Sequence, residues 1–194
     1  PVPGTYVFDF GQNFVGWPNL TIDGTVPEGT TIKLQPAESL AADGTVDQVS
    51  LMGGGGRRGI DLFATYTTHG DPRGETWHPD SLYFGMQWVQ VTGLPASYVP
   101  TVQTITGLQV RAATPVAGDV RTSNDRINRL HRMAQYSIMS NTMSTFTDCP
   151  GREKLAYPAD YVKPFGALHR NFGYAAFLRT MERHLAIRVF NPAA

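Results

Sequence analysis

Hydrophobic and polar residues alternate along the first part of the chain. Tyr6, Phe8 and Phe10 step by two, and so do Ile32 and Leu34. A period of two places alternate side chains on one face of a β-strand. Further runs with this period predict strands at residues 60–66, 84–88 and 108–110, with Val89 and Val91 on the opposite face from Phe84, Met86 and Trp88.

Turn-forming residues separate these runs. Glycine, proline and aspartate favour tight turns because they tolerate or preset the backbone angles that turns need. Many short strands joined by such turns predict an antiparallel β-sandwich. We place the sandwich at residues 1–100 and a linking strand segment at 101–122. The turn clusters are Asp23-Gly24, Asp43-Gly44, Gly70-Asp71-Pro72 and Gly93-Leu94-Pro95.

The period changes to three or four in the last part of the chain, residues 123–194. Ser123-Asn124-Asp125 can cap a helix that fades near Thr145. A second helix is predicted over Gly166–Ala186. Each helix carries one apolar stripe, and two helices cannot complete a helical core, so each needs partners. The stripe of the first helix contains Ile127, Leu130, Ala134 and Ile138.

Composition narrows the class of partner. The chain has 194 residues, is 41% hydrophobic, and carries 16 basic and 16 acidic side chains without a long run of either sign. This balance predicts an ordinary core and argues against nucleic acid or an anionic membrane surface as partners. No stretch approaches the ~20 apolar residues of a membrane span. The sequence carries no signal for a compartment or an oligomeric state.

Two further features concern covalent chemistry and chain extent. Cys149 is the single cysteine, so an internal disulfide is excluded. The chain begins at Pro1 without an initiator methionine, and we expect it to be a piece of a longer protein.

Three carboxylates crowd one short segment between the two helical patterns. Asp148, Glu153 and Asp160 lie within thirteen residues that also contain Pro150 and Pro158. The prolines restrict the backbone of this loop. Neighbouring negative charges raise carboxyl pKa values, and carboxyl groups with separated pKa values are what glycosidic hydrolysis uses. A polar loop with three ordinary acids fits the spacing equally well.

The same segment resembles a known signature. Thr147–Leu155, followed by Asp160, resembles the active-site motif of bacterial and fungal α-L-rhamnosidases, glycoside hydrolase family 78. Phe8–Trp17 resembles the opening of that family's β-sandwich, Trp88–Leu94 the end of its sheet, and Ser123–Leu130 the first helix of its (α/α)6 barrel. The resemblance covers most of the chain in the family's order.

The resemblance implies a role for each residue of the motif. Glu153 falls on the general acid, and Asp148 and Asp160 fall on acids that hold rhamnose hydroxyls. Arg152 would support sugar binding or orient a carboxylate. The family releases terminal α-L-rhamnose from plant glycosides or polysaccharides with inversion and without a cofactor. Its base comes from a later part of the barrel that no segment of this chain matches, so we expect the isolated chain to be inactive.

Two departures from the family pattern concern specificity. Ala156-Tyr157-Pro158-Ala159 replaces the usual Gly-Trp-Thr-Gly, so Tyr157 takes the place of a tryptophan that shapes the sugar pocket. Gly151 stands where glutamine is common. These changes indicate a different glycone or leaving group, or a related lyase that cleaves rhamnose from uronic acid by elimination. The alternative from another class is a non-catalytic carbohydrate-binding or structural β-sandwich module.

Other motifs favour structural interpretations. The run Gly53–Gly59 lacks the Lys-Ser/Thr of a phosphate-binding loop and predicts a hairpin loop. The histidines of the helical patterns lack the i, i+4 spacing of a zinc motif, so we expect surface or interface positions and no metal. Cys149 has no nearby histidine and is interpreted as a packed residue. The histidines are His131, His169 and His184, and the aromatic residues assigned to the sandwich core are Trp17, Trp77, Tyr83 and Trp88.

Overall fold

The computed structural model of the chain describes residues 2–51 and 61–190. Its contacts divide the chain into two compact units. The β unit contains the residues up to Val110 together with Pro150–Arg152. The helical unit contains Arg111–Cys149 and the residues from Glu153 onward. The predicted hairpin loop at Gly53–Gly59 lies outside the described residues.

The β unit is built on one curled antiparallel sheet of six strands in the order β5-β2-β7-β1-β6, with β8 also paired to β1. The prediction of an antiparallel β domain followed by helices is confirmed. The strand β8 falls inside the predicted linking segment. The strands are β1 Tyr6–Ile22, β2 Thr31–Ala37, β3 Ser39–Leu40, β4 Val46–Asp47, β5 Ala64–Thr67, β6 Glu75–Trp77, β7 Phe84–Thr92 and β8 Ile105–Gln109, and a 3-10 turn covers Val49–Leu51.

The long strand β1 changes its pairing register partway along. It pairs with β7 up to Asp9 and again from Phe14, with an irregular stretch between. Gly11 has φ +71°, a left-handed conformation that glycine adopts without steric cost, and its N–H donates to Oδ1 of Asp9 at 2.7 Å. The irregular stretch lets one strand serve two parts of a curled sheet.

Apolar side chains from four strands and the loops between them form the core of the β unit. Phe84, Met86, Val89 and Val91 all belong to this one cluster. The expectation that Val89 and Val91 lie on the opposite face is therefore wrong with respect to Phe84 and Met86, whereas the half-buried Trp88 is not part of this cluster. The period of burial along β7 shifts by one residue between Met86 and Val89, beside the place where pairing with β1 breaks register.

The tryptophans assigned to the core lie at its margin. Trp77 packs against the core cluster and stacks on Tyr66 with ring centroids 5.1 Å apart. Trp17 stacks on His78 at 4.7 Å, and its indole N–H donates to the carbonyl of Leu82. Tyr83 and Trp88 are half-buried.

The helical unit begins with the predicted helix. The helices are α1 Asp125–Ser140, α2 Pro158–Val162, α3 Phe165–Asn171 and α4 Ala175–Phe190. The predicted cap is confirmed, because the side chain of Asn124 accepts a hydrogen bond from the Arg126 N–H at 2.9 Å. None of the helices in the described ranges is long and apolar enough to cross a bilayer.

The prediction of one helix over Gly166–Ala186 is wrong. The backbone becomes extended at Phe172, where φ is −140° and ψ is 152°, and the helix resumes only in α4. Phe172 forms a β-bridge with Val116, and the Gly173 N–H donates to the Pro115 carbonyl at 2.9 Å. These tertiary hydrogen bonds and the burial of the Phe172 ring outweigh helix propensity at this point.

The helical unit has a small core and an open apolar stripe. Leu168 and Phe172 are almost fully buried in a cluster with Ile138 of α1. In contrast, Ile127 and Leu130 of α1 are exposed by 48% and 63%. Exposed apolar side chains that form a stripe are typical of a surface that packs against a partner. The exposure of Ile127 and Leu130 is therefore consistent with the expectation that this helix needs further partners.

A buried carboxylate organises the turn between β5 and β6. Glu75 accepts hydrogen bonds from the backbone N–H groups of His69, Gly70 and Asp71, at 2.8–3.2 Å, and from the hydroxyl of Tyr66 at 2.6 Å. The hydrogen bond with Tyr66 is the main reason why the pKa of Glu75 falls to about 2 and that of Tyr66 rises to about 12.

We predict that Glu75→Gln removes an acid-sensitive part of the chain's stability. A carboxyl group with a lowered pKa stabilises the fold above its ordinary value of 4.5, and this contribution is lost as the pH falls toward about 2. Thermal melting between pH 7 and pH 2 should show a lower melting temperature for the variant at pH 7 and a smaller loss on acidification. Parallel curves for the two proteins would contradict this role.

Candidate active site

The segment with the three carboxylates begins with a loop between α1 and α2, here called the acid loop, Thr147–Tyr157. Two hydrogen bonds close it: the Asp148 N–H donates to the Leu155 carbonyl, and the Leu155 N–H donates to Oδ1 of Asp148, both at 2.9 Å. Thr147 is buried, and its N–H donates to the Asn141 carbonyl at 2.9 Å. The carboxylate of Asp148 therefore joins the two ends of the loop.

A series of hydrogen bonds connects residues within the acid loop. The Cys149 thiol donates to Oδ2 of Asp148 at 3.4 Å, and the Glu153 N–H donates to Sγ of Cys149 at 3.3 Å. The Tyr157 hydroxyl donates to Oε2 of Glu153 at 3.3 Å. Cys149 is half-buried, as expected for a packed residue. These contacts link three of the predicted site residues, Asp148, Glu153 and Tyr157.

The negative charges of the three carboxylates act on the phenol of Tyr157. Desolvation raises the pKa of the Tyr157 hydroxyl, and the negative charges of Glu153, Asp148 and Asp160 raise it further. Burial raises the pKa of Asp148, but hydrogen bonds from the Leu155 N–H and the Cys149 thiol more than offset this and leave its pKa below the usual value. Asp148 is therefore an ionised acceptor at neutral pH.

Lys154, the neighbour of Glu153, has an unusual backbone conformation. Its φ is +56°, and it is the one non-glycine residue with positive φ in the described part of the chain. A left-handed conformation costs a residue with a Cβ about 1–2 kcal/mol. Burial lowers the pKa of the Lys154 ammonium group. Strain of this kind persists only where surrounding contacts determine the conformation, and it is common at functional sites.

The remaining predicted site residues differ in placement. Asp160 is half-buried in the first turn of α2, and its N–H donates to the Tyr157 carbonyl at 3.0 Å. Glu153 is exposed. Arg152 is also exposed, and it groups with the β unit together with Pro150 and Gly151 rather than with the helical unit.

The three histidines of the helical patterns differ in placement. Among residues 2–51 and 61–190, no group of three histidine, cysteine, aspartate or glutamate side chains is arranged to hold a metal ion. His131 lies 3.7 Å from Asp119, His169 stacks on Phe165, and His184 is exposed.

Sequence reasoning missed two features. One is that Asp148 closes the acid loop. The sequence could have indicated this, because Asp148 directly precedes Cys149-Pro150-Gly151, and aspartate often forms hydrogen bonds with the backbone at such turns. The other is an open cleft of about 680 Å³ in the β unit, between the start of β1 and the loop before β8. The side chains in its wall include Tyr6, Phe8, Phe10, Thr101 and Thr106.

Comparison with known families matches both parts of the chain. The family model for the bacterial alpha-L-rhamnosidase concanavalin-like domain matches residues 2–111. The model for the bacterial alpha-L-rhamnosidase 6 hairpin glycosidase domain matches residues 115–188.

Curated relatives carry the same description. An alpha-L-rhamnosidase of Streptomyces avermitilis is 34% identical over 161 residues, covering 82% of this chain and 15% of the relative. An alpha-L-rhamnosidase of Formosa agariphila is 30% identical over 157 residues, covering 81% of this chain and 16% of the relative. The chain thus spans about one sixth of the length of these relatives.

Solved structures give the same result. The alpha-L-rhamnosidase from Dictyoglumus thermophilum matches with a TM-score of 0.82 and 32% identity, covering 92% of this chain and 19% of that one. The Streptomyces avermitilis enzyme complexed with L-rhamnose matches with a TM-score of 0.79 and 32% identity, covering 92% of this chain and 16% of that one. Because both domain models match and these relatives are similar over most of the chain, the chain belongs to the bacterial α-L-rhamnosidases of glycoside hydrolase family 78.

Proposed function

We propose that the whole protein hydrolyses terminal α-L-rhamnose from plant glycosides or polysaccharides, with the acid loop as one wall of its active site. The observation that carries this proposal is the series of hydrogen bonds in the acid loop that links Asp148 through Cys149 to Glu153, and Glu153 to the hydroxyl of Tyr157. Family membership supports the reaction class, since the relatives are alpha-L-rhamnosidases.

Glu153 is the general acid in this proposal. Its carboxyl proton passes to the glycosidic oxygen as the bond from that oxygen to the anomeric carbon breaks. A water molecule attacks the anomeric carbon from the opposite face after giving its proton to a base, and the product has inverted configuration. Acid and base in inverting enzymes stand ~6.5–9.5 Å apart, which leaves room for that water. The base comes from a part of the barrel that this chain does not match.

The other residues of the motif bind the sugar. Asp148 and Asp160 accept hydrogen bonds from rhamnose hydroxyls, and Tyr157 shapes the pocket beside them. Asp148 retains acceptor capacity for this role, because each of its oxygens has more than one lone pair and one donor is assigned to each. Arg152 supports sugar binding or orients a carboxylate. No cofactor takes part.

A general acid works best when it is shielded from water. Glu153 is exposed in this chain, and the apolar stripe of α1 is exposed as well. We propose that further helices of the barrel cover both in the whole protein. The site is then closed to bulk water when the proton is transferred.

A second candidate function is carbohydrate binding by the β unit without catalysis. The observation that favours it is the open cleft in that unit, which combines aromatic and hydroxyl side chains. Aromatic faces and hydrogen-bonding groups together suit a saccharide. The two functions differ at Glu153, because binding in the cleft does not involve that residue.

The decisive substitution is Glu153→Gln in the whole protein. We predict that hydrolysis of rhamnosides with poor leaving groups falls by roughly 10²–10⁴-fold, the usual contribution of general acid catalysis, while rhamnose binding is retained. Rates with nitrophenyl rhamnoside should fall less, because nitrophenolate leaves without a proton. Glu182→Gln, on the exposed side of α4, is the matched control. Unchanged hydrolysis in Glu153→Gln would refute the role of Glu153 as the general acid, whereas sugar binding without any hydrolysis by the unaltered whole protein would favour the binding module.

The isolated chain of 194 residues should be inactive. We predict no measurable release of nitrophenolate from nitrophenyl α-L-rhamnoside, because the base is supplied by another part of the protein. The assay is a continuous absorbance measurement with purified chain whose folding has been checked by circular dichroism. Substantial turnover would show that the chain contains its own base and would refute this part of the mechanism.

A further inference from the structure

We propose that the β unit carries a seat for the tip of the acid loop, formed by Glu38, Leu51 and Gly85, and that these three are positioning residues for Glu153. The loop tip is Pro150–Arg152, which belongs by its contacts to the β unit. The role assigned to Glu153 rests on the proposed function, whereas the seat itself rests on contacts within the β unit.

The ring of Pro150 lies directly against the backbone of β7. A Cβ atom built on Gly85 would stand 3.1 Å from Cγ of Pro150 and 3.1 Å from Oε1 of Glu38. Both distances are shorter than ordinary van der Waals contact, and Gly85 is buried. A side chain at residue 85 would therefore push against the loop tip, and glycine allows this close approach.

Leu51 forms the second wall of the seat. It ends the 3-10 turn Val49–Leu51 and is 3% exposed. A Cβ atom built on Gly151 would lie 2.7 Å from Cδ2 of Leu51, so the backbone of the loop tip rests on this side chain. Burial of an apolar side chain under a backbone turn favours one position of that turn, because displacement would leave a cavity.

Glu38 completes the seat from the connection between β2 and β3. Its Oε1 accepts a hydrogen bond from the side-chain amide of Asn13 at 3.2 Å. The same oxygen lies 4.0 Å from a Cβ atom built on Gly151. Asn13 belongs to the irregular stretch of β1, so the register break supplies the group that orients the Glu38 carboxylate beside the loop tip.

The seat fixes the acid loop at a second place. The first is the pair of hydrogen bonds between Asp148 and Leu155, which closes the loop ends. Glu153 follows the seated tripeptide directly, and its N–H donates to Cys149, which precedes that tripeptide. A displacement of about 1 Å in a reacting group can cost about 10²-fold in rate, so holding the tip holds the acid.

Cys149 provides a direct probe, because it is the single cysteine of the chain and lies next to the seated Pro150. The rate at which an aromatic disulfide reagent modifies the thiol of the folded chain reports how often the acid loop opens. We expect Gly85→Val and Leu51→Ala to raise this rate about tenfold, the factor that a cost of about 1.4 kcal/mol produces in an opening equilibrium.

Glu38 offers a conservative pair. Glu38→Ala removes the carboxylate and should also raise the rate of thiol modification. Glu38→Gln keeps an amide oxygen that can accept from Asn13, and it should restore a rate close to that of the unaltered chain. This pair decides the question if Gly85→Val fails to fold.

Two controls separate local opening from general destabilisation. Glu75→Gln weakens the β unit away from the seat, and Gly166→Ala adds a methyl group where no atom lies within 4 Å. Both should leave the thiol rate unchanged under native conditions. The proposal is overturned if the folded seat variants react no faster than the unaltered chain, or if Glu75→Gln raises the rate equally.

The link to catalysis is tested in the whole protein. The folded seat variants should lower kcat for a rhamnoside with a poor leaving group more than for nitrophenyl rhamnoside, with KM nearly constant. Faster thiol modification without this loss of kcat would overturn the positioning role. Glu153→Gln tests the proposed function independently of that outcome, since it leaves the seat intact.

Discussion

The conformation of the acid loop depends on one ionised carboxylate. Asp148 accepts a hydrogen bond from the Leu155 N–H while its own N–H donates to the Leu155 carbonyl, so a single pair of residues closes the acid loop. The segment between them contains a thiol, a strained lysine and the exposed Glu153, none of which belongs to a helix or strand. Without this closure, the loop would lack a regular hydrogen-bond pattern to order it.

The closure also explains why carboxylates can share a small region. Like charges repel, and three acids in one short segment would favour an open conformation unless donors compensate them. Asp148 has backbone and thiol donors, and Glu153 accepts from the Tyr157 hydroxyl. The donor to Glu153 is the hydroxyl of Tyr157, the residue at the position where the family motif leads one to expect tryptophan.

Local signals in the sequence predicted much of the fold, and tertiary contacts account for the errors. The cap at Asn124 and the strand periods at Ile32 and Leu34 depend on neighbouring residues, so they could be read from the chain. The break at Phe172 depends on Pro115 and Val116, more than fifty residues away, and the shift of period in β7 depends on β1. Helical spacing and strand alternation contain no information about such partners.

The residues of the candidate site could be predicted from the sequence, but the contacts between them could not. Spacing left a polar loop and a catalytic loop equally open at Asp148, Glu153 and Asp160, and the resemblance to the family motif favoured the second. The closing role of Asp148, the contact of the Glu153 N–H with Cys149 and the seat under Pro150 all involve backbone atoms. Backbone contacts depend on conformation more than on residue type, so the sequence did not reveal them.

The most direct test of the central interaction is an NMR titration of the Asp148 carboxyl carbon, assigned with Asp148→Asn, together with the amide proton of Leu155. We predict a pKa below the ordinary 3.8 for Asp148 and a Leu155 amide shift with the same midpoint, because the hydrogen bond weakens when the carboxylate takes up a proton. A pKa at or above 3.8, or a Leu155 amide that does not respond, would contradict this prediction.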